Sequence, residues 1–342
     1  MKRKKQLLIS ILGVGAIVIG YGLHIHIIKV EAAKVEHAAG ATAYFPPGSI
    51  WTQDVSHAPL DPQSSAIIAW LADAGGWGHN NKMQVDFSLH VIKADSTTQY
   101  VPFKGPGSGY VDSDNPSVFP LPAGGSLEGL RGYQCPTPND DCHLIVDDRS
   151  HGKLYEAYQA NYANNVLSAN FVAVWDLNRV YPQSGRGDQC TSADSAGFPI
   201  APLLFNADEL AAGKIDHAIR FILPNPRIRA HAFVHPATHA GAPQGPAIAP
   251  PIGVRFRLKS SFDMSKLTPA AQVVARAMQK YGMFLADGGN IALTAQNDAD
   301  TKAKYADMHF GSRDLADLKV TDFEVVDMGT TTRLTDNCER NK

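Results

Sequence analysis

Carboxylates that fall close to basic and aromatic side chains carry the chemical interest of this sequence. The stretch from Leu144 to Glu156 reads as a hairpin. With His151-Gly152 as a two-residue turn, Ser150 pairs with Lys153, Asp148 with Tyr155 and Asp147 with Glu156. Two carboxylates then face each other with Cβ atoms ~5 Å apart, and such a pair repels unless an arginine, a cation or a shared proton compensates it. A shared proton makes a general acid beside a carboxylate, the arrangement used in retaining glycoside hydrolysis. A four-residue turn instead places Glu156 opposite Ile145, and the alternative reading is a solvated hairpin whose acids are matched by Arg149 and Lys153. A second concentration comprises Asp176 beside Trp175, Asp194 in a small-residue loop, and His217 with Arg220 on one strand. His217 shares the apolar face of Ile219, Phe221 and Leu223 and must find a partner, for which Asp176 and Asp194 are the candidates. His231, His235 and His239 offer a third grouping. Their i, i+4, i+8 spacing suits a helix, but Phe233, Val234 and Pro236 oppose one, so zinc on His217, His235 and His239 is the minor reading and no metal or other cofactor is expected.

The elements that must position these residues read mainly as strands. In Met83 to Ile92, Val85, Phe87, Leu89 and Val91 alternate with polar residues, and Val254, Phe256 and Leu258 alternate with Arg255, Arg257 and Lys259, the period of half-buried strands. Residues 171–177, 198–205, 217–223, 230–235, 283–286 and 322–328 are further candidates. Without regular helical crossovers, the expectation is a mainly β fold, an antiparallel β-sandwich or jelly roll with one or two packed helices. One helix starts at Thr268-Pro269 and stops at Gly282; a shorter one starts at Asn206 with Glu209 three residues on. Residues 102–142 and 224–251 lack periodicity and read as long loops, the usual carriers of binding sites.

The chain has 342 residues, 44% hydrophobic and 19% charged, which excludes disorder and coiled coil. Its 31 basic and 33 acidic residues give no field for nucleic acid. Lys2, Arg3, Lys4 and Lys5 precede an apolar run from Leu7 to Leu23, so residues 1–34 read as a signal peptide or an N-terminal membrane anchor, with the body exported. Removing the first 32 residues takes away five basic and one acidic side chain and leaves 26 and 32, a net charge of −6. An oxidising compartment suits the four cysteines, for which Cys135 with Cys142 and Cys190 with Cys338 is the favoured pairing. Residues 42–330 are expected to form one β-rich domain, and 331–342 a tail tethered by the second bridge.

The ordered segments Trp51-Thr52-Gln53-Asp54-Val55, Leu154-Tyr155-Glu156, Thr191-Ser192-Ala193-Asp194-Ser195-Ala196-Gly197, Asp216-His217-Ala218-Ile219-Arg220-Phe221, Val234-His235-Pro236-Ala237-Thr238-His239 and Tyr281-Gly282-Met283 resemble a family of exported bacterial proteins to which no activity is attached. The resemblance spans Trp51 to about Asp327. It implies a single exported unit and carries no mechanism. Together these features lead to an exported protein acting on a glycan or envelope polysaccharide, as a hydrolase with Asp147, Glu156, Asp176 and Asp194 as acids and bases and with Trp175, His217, Arg220 and His235 binding substrate. The alternatives are a noncatalytic glycan binder with Trp51, Trp70, Trp77 and Trp175 as platforms and the acids as rim or calcium ligands, and a histidine-centred metal hydrolase.

Overall fold

Alternation between apolar and polar residues does produce strands here. The computed structural model describes residues 43–106 and 110–341, so the segment read as a signal or anchor lies outside the described residues. Among the described residues no helix is long and apolar enough to cross a membrane. The strands are β1 (Val85–Leu89), β2 (Ile92–Lys93), β3 (Gln99–Lys104), β4 (Val118–Leu121), β5 (Leu144–Asp148), β6 (Lys153–Tyr158), β7 (Asn161–Ala163), β8 (Val166–Ser168), β9 (Phe171–Asp176), β10 (Ile219–Leu223), β11 (Ala232–Phe233), β12 (Arg255–Leu258), β13 (Met283–Gly288), β14 (Leu293–Gln296), β15 (Phe323–Val326) and β16 (Thr332–Arg333). The protein is mainly β, but its sheets are mixed. A six-stranded sheet runs β1-β14-β10-β13-β12-β15, and two four-stranded sheets run β2-β5-β6-β9 and β4-β3-β8-β7. The pairs β1·β14, β10·β13, β2·β5 and β3·β8 are parallel, where antiparallel pairing was expected throughout. A parallel pair needs a long crossover, and the chain between β10 and β13 supplies one that includes a helix.

That helix, α3 (Pro269–Lys280), begins where the sequence places it: the Thr268 hydroxyl accepts from the Ala271 N–H at 3.3 Å, and Pro269 occupies a position whose missing N–H costs nothing. It buries Val273, Val274, Ala277 and Met278. The short α2 (Ala207–Ala211) carries the expected capping box between Asn206 and Glu209. A further helix, α1 (Ser64–Asp73), was not anticipated; it buries Ile67, Ile68 and Leu71. Residues 198–205 do not form the expected strand: Ala201–Leu203 is a buried 3-10 turn containing Pro202, which has no N–H for a ladder. An apolar run of this length reports burial but not conformation.

Strand β12 departs from its half-buried pattern as well. All four of its residues are buried, because Arg255 donates to the carbonyls of Tyr281 and Gln53, and Arg257 to those of Val55 and Ala58 and to Glu324. Both expected disulfides are present, Cys135–Cys142 and Cys190–Cys338. The second spans 148 residues and ties the C-terminal tail to the loop that carries Asp194.

Candidate functional site

The hairpin register is the first correction. Asp148 pairs with Lys153, Asp147 with Leu154 and Glu156 with Ile145, so the turn has four residues and the two acids are not opposed. The cause is local. Arg149–His151 closes a 3-10 turn and Gly152 follows at φ 65°, a left-handed conformation that glycine adopts without strain. Asp147 takes the Arg149 Nε–H at 2.8 Å. Asp148 is fully buried and is held by Tyr100, Ser150 and His151.

Glu156 lies fully buried in the core, where it accepts from the Trp175 indole N–H at 2.9 Å, the Ile200 N–H at 2.8 Å and the Ala201 N–H at 2.9 Å. Burial pushes its carboxyl up to about 7 against those three donors. It braces the 3-10 turn from beneath and offers no opening to a substrate. Asp176 sits at the exposed end of β9 with Lys153 at 3.3 Å. Trp175 is core, as are Trp51 and Trp77, while Trp70 is partly buried and packs on the same core, so the expected aromatic platforms do not exist.

The three histidines of the metal reading occupy three separate settings. His217 finds its partner in Glu209, at 3.2 Å, rather than in Asp176 or Asp194, and its other nitrogen meets the Ala218 carbonyl. His235 pairs with Asp188 at 2.7 Å, and His239 Nδ1 lies 3.0 Å from the Ser195 carbonyl. Among the described residues, the two groups with metal-like proximity are Asp112 with Cys190 and Cys338, and Asp140 with Cys135 and Cys142. In each, the two sulfurs are bonded to one another and are not available as thiolate ligands.

Asp194 and Arg220 do come together, and around them lies a cleft of about 260 Å3 lined by polar groups including Asp141, His143, Asp194, Ser195, His239 and Asp287. It forms where the six-stranded sheet meets the ends of β5, β6 and β9. Arg220, on β10, gives Nε–H to an Asp194 oxygen at 3.1 Å, with Nη2 3.0 Å from the same oxygen in an ion pair, and Nη1–H to Thr294 on β14 at 2.8 Å. Asp287 is placed by a bulge. Phe221 pairs with Leu285 but Ile222 with Asp287, so Ala286 is an extra residue in β13; bulges of this kind re-aim the side chains beside them. The Ala286 carbonyl then takes the Ala196 N–H at 3.0 Å, which docks the Asp194 loop onto the bulge.

Burial raises both carboxyls. Asp194 is pushed up to about 6, opposed by Arg220, with the charge of Asp287 adding to the rise. Asp287 is raised by its own burial, again opposed by Arg220. Their hydrogen bonds distinguish them. Asp194 is 1% exposed and receives the Arg220 pair and the Ala196 N–H, whereas Asp287 receives the Gly288 N–H at 2.7 Å. Asp194 is therefore the carboxylate better compensated by donors, and Asp287 the one whose burial is opposed by Arg220 and a single backbone N–H.

Beneath the loop, His143 contacts Glu128 through Nδ1 at 2.6 Å and the Ala193 carbonyl through Nε2 at 3.0 Å. Neither His143 nor Glu128 stands out in the sequence, and Asp287, which was not among the expected acids, carries only a local signal. Glu128 falls in a stretch without periodicity and His143 directly after it, while Asp287-Gly288-Gly289, directly after the apolar Met283–Ala286 run, is the same strand-end signal that marks Asp176. No family model, curated protein or solved structure matches this chain, so the likeness to exported bacterial proteins rests on the sequence segments alone.

Proposed function

We propose that this chain is an exported hydrolase that cleaves a glycan in the cleft, with Asp287 as general acid and base and Asp194, held on Arg220, as the ionised carboxylate that steadies the positive charge developing on the sugar. The observation that carries this reading is Asp287 itself, a carboxyl raised by burial and lining a polar cleft beside a second, arginine-bound carboxylate. The acid would protonate the leaving oxygen as the glycosidic bond breaks, and its carboxylate would then take a proton from the water that bonds to the anomeric carbon. Tyr110 and Tyr158 flank the cleft with ring surfaces that suit sugar faces, and Ser195 offers a hydroxyl. Export is supported by the two disulfides and by the cationic, apolar N-terminal sequence. The step from such a cleft to carbohydrate is one of chemical fit, since a fold of this class does not fix a substrate.

The test is Asp287→Asn, assayed with the parent on a panel of bacterial and plant glycans. Cleavage is expected to fall at least ~100-fold, the usual scale of a lost general acid, with a near-parental melting temperature. Full activity in the variant removes Asp287 from the mechanism. A parent that binds glycans without cleaving any supports the binding reading instead, with Tyr110 and Tyr158 in place of the tryptophans.

A further inference from the structure

We propose that His143 is the positioning residue of this site: held as an imidazolium, it clamps the Ala193–Asp194 peptide and supplies, with Arg220, the fixed positive charge that sets the pH range in which the Asp194 and Asp287 carboxyls ionise. The inference rests on the reading of Asp194 and Asp287 as the acid–base pair.

With Glu128 ionised, the geometry calls for the cation. Both ring nitrogens of His143 face acceptors, the Glu128 carboxylate at 2.6 Å and the Ala193 carbonyl at 3.0 Å. A neutral imidazole has one N–H, and its other nitrogen would set a lone pair against an oxygen; with both protons, each contact becomes a hydrogen bond. Burial opposes the charge, but Glu128 outweighs it and lifts His143 to about 9, while Glu128 falls to about 2. The clamp acts on a single peptide unit. His143 holds the Ala193 carbonyl, and on the other side the Asp194 N–H donates to Ser192 Oγ at 2.9 Å, a hydroxyl that itself donates to the Phe198 carbonyl at 2.6 Å. The Asp194 backbone is thereby fixed from two directions before Arg220 engages its side chain.

The charged and titratable groups that face this cluster include His239 and Tyr110, which line the same cleft. Glu128 and Asp141 favour the imidazolium. Arg220 acts on Glu128, Asp194 and Asp287, and His143 lowers both aspartates. Glu156 is near enough for Asp194 to raise it, and Tyr158 packs its ring 5.5 Å from the imidazole. His143 and Arg220 thus oppose an excess of nearby acids, Glu128, Asp141, Asp194 and Asp287 with Glu156 behind them. Removing one cation leaves a larger excess of negative charge, and the carboxyl pair must then hold its proton to higher pH.

The experiment follows the carboxyl carbons of Asp194 and Asp287 and the ring nitrogens of His143 by NMR titration of the full chain, in the parent, His143→Gln and His143→Lys. In the parent, the imidazole is expected to stay protonated past pH 8. His143→Gln is expected to raise the upper apparent titration of the aspartate pair by about one pH unit, the low end of what a neighbouring charge does, and to move the alkaline limb of cleavage upward by the same amount. His143→Lys, which restores charge without the ring, is expected to return both. A role in stability alone would lower activity at every pH without moving the limb. A parent His143 that titrates near its ordinary 6.5, or aspartates unmoved in His143→Gln, overturns the proposal; the first measurement needs no variant to fold. Aspartates that shift in His143→Gln while Asp287→Asn still cleaves support the charge role and remove Asp287 as the acid, which separates this inference from the hydrolase reading.

Discussion

Glu156 and Asp287 are both carboxyls raised by burial, yet they have opposite surroundings. Glu156 is fully buried, and three N–H groups converge on it from Trp175, Ile200 and Ala201. Asp287 sits at the bulged end of β13, receives the Gly288 N–H, and lines a cleft of about 260 Å3 beside Asp194, Arg220 and His143. A raised carboxyl is thus no mark of function by itself. What separates the two is whether space remains for a substrate atom to approach and whether the donors present already use the oxygens. In the hairpin, the acid organises its neighbours; in the cleft, the neighbours organise the acid.

This contrast is most severely tested by Glu156→Ala. The substitution strands three buried donors and leaves a void, and each unsatisfied group costs ~1–3 kcal/mol, so a loss of about 4 kcal/mol or more of unfolding free energy is expected in urea titrations. Cleavage per folded molecule should change far less than in Asp287→Asn, where the order reverses: activity lost, stability kept. A stable Glu156→Ala variant with no activity would collapse the distinction.

Much of the framework was legible in the sequence. The caps of α2 and α3, both disulfides and most strands follow from local rules about donors, periodicity and cysteine pairing. The acids of the site were legible only in part. Asp194 and Arg220 were read as candidates and do meet, because loop and strand face the same cleft. The opposition of Asp147 and Glu156 failed on a turn whose length depends on Gly152 reaching the left-handed region after a 3-10 turn, a choice that the sequence shares with the two-residue alternative. The role of Asp287 depends on a bulge, and that of His143 on contacts with Glu128, fifteen positions away, and Ala193, fifty positions away. Pairings between distant segments leave no periodic trace along the chain.

The next effect in size concerns pH. His143 is raised from 6.5 to about 9 in the folded protein, so its contribution to stability is complete below about 6.5 and is lost as pH rises through 9. Glu128, lowered from 4.5 to about 2, contributes fully above about 4.5 and loses that contribution as pH falls through 2. The two describe one ion pair, which is at full strength between those limits. At 1.36 kcal/mol per unit, the pair accounts for at most about 3 kcal/mol. The difference in unfolding free energy between parent and His143→Gln is expected to be largest near pH 6 and to shrink steadily toward pH 10. A difference independent of pH would mean that the ring contributes by shape alone, and Arg220 would be left to supply the fixed charge of the cleft in the comparison with the hairpin.

The smallest effect belongs to Asp176, which the sequence marks as strongly as Asp194. It stands at the end of β9, like Asp287 at the end of β13, but its partner is Lys153 at 3.3 Å and the two side chains are 43% and 37% exposed. Water screens such a pair, and its Coulomb energy is offset by the entropy of holding two long side chains together. Asp176 also accepts the Asn178 N–H at 3.0 Å, an interaction within its own turn. Asp176→Ala is therefore expected to cost no more than about 1 kcal/mol in unfolding and to leave the cleavage rate and its pH profile in place. A large loss of activity with normal stability would place a working acid outside the cleft, and the rule drawn from Glu156 and Asp287, that an acid needs both burial and an opening, would fail at its simplest counterexample.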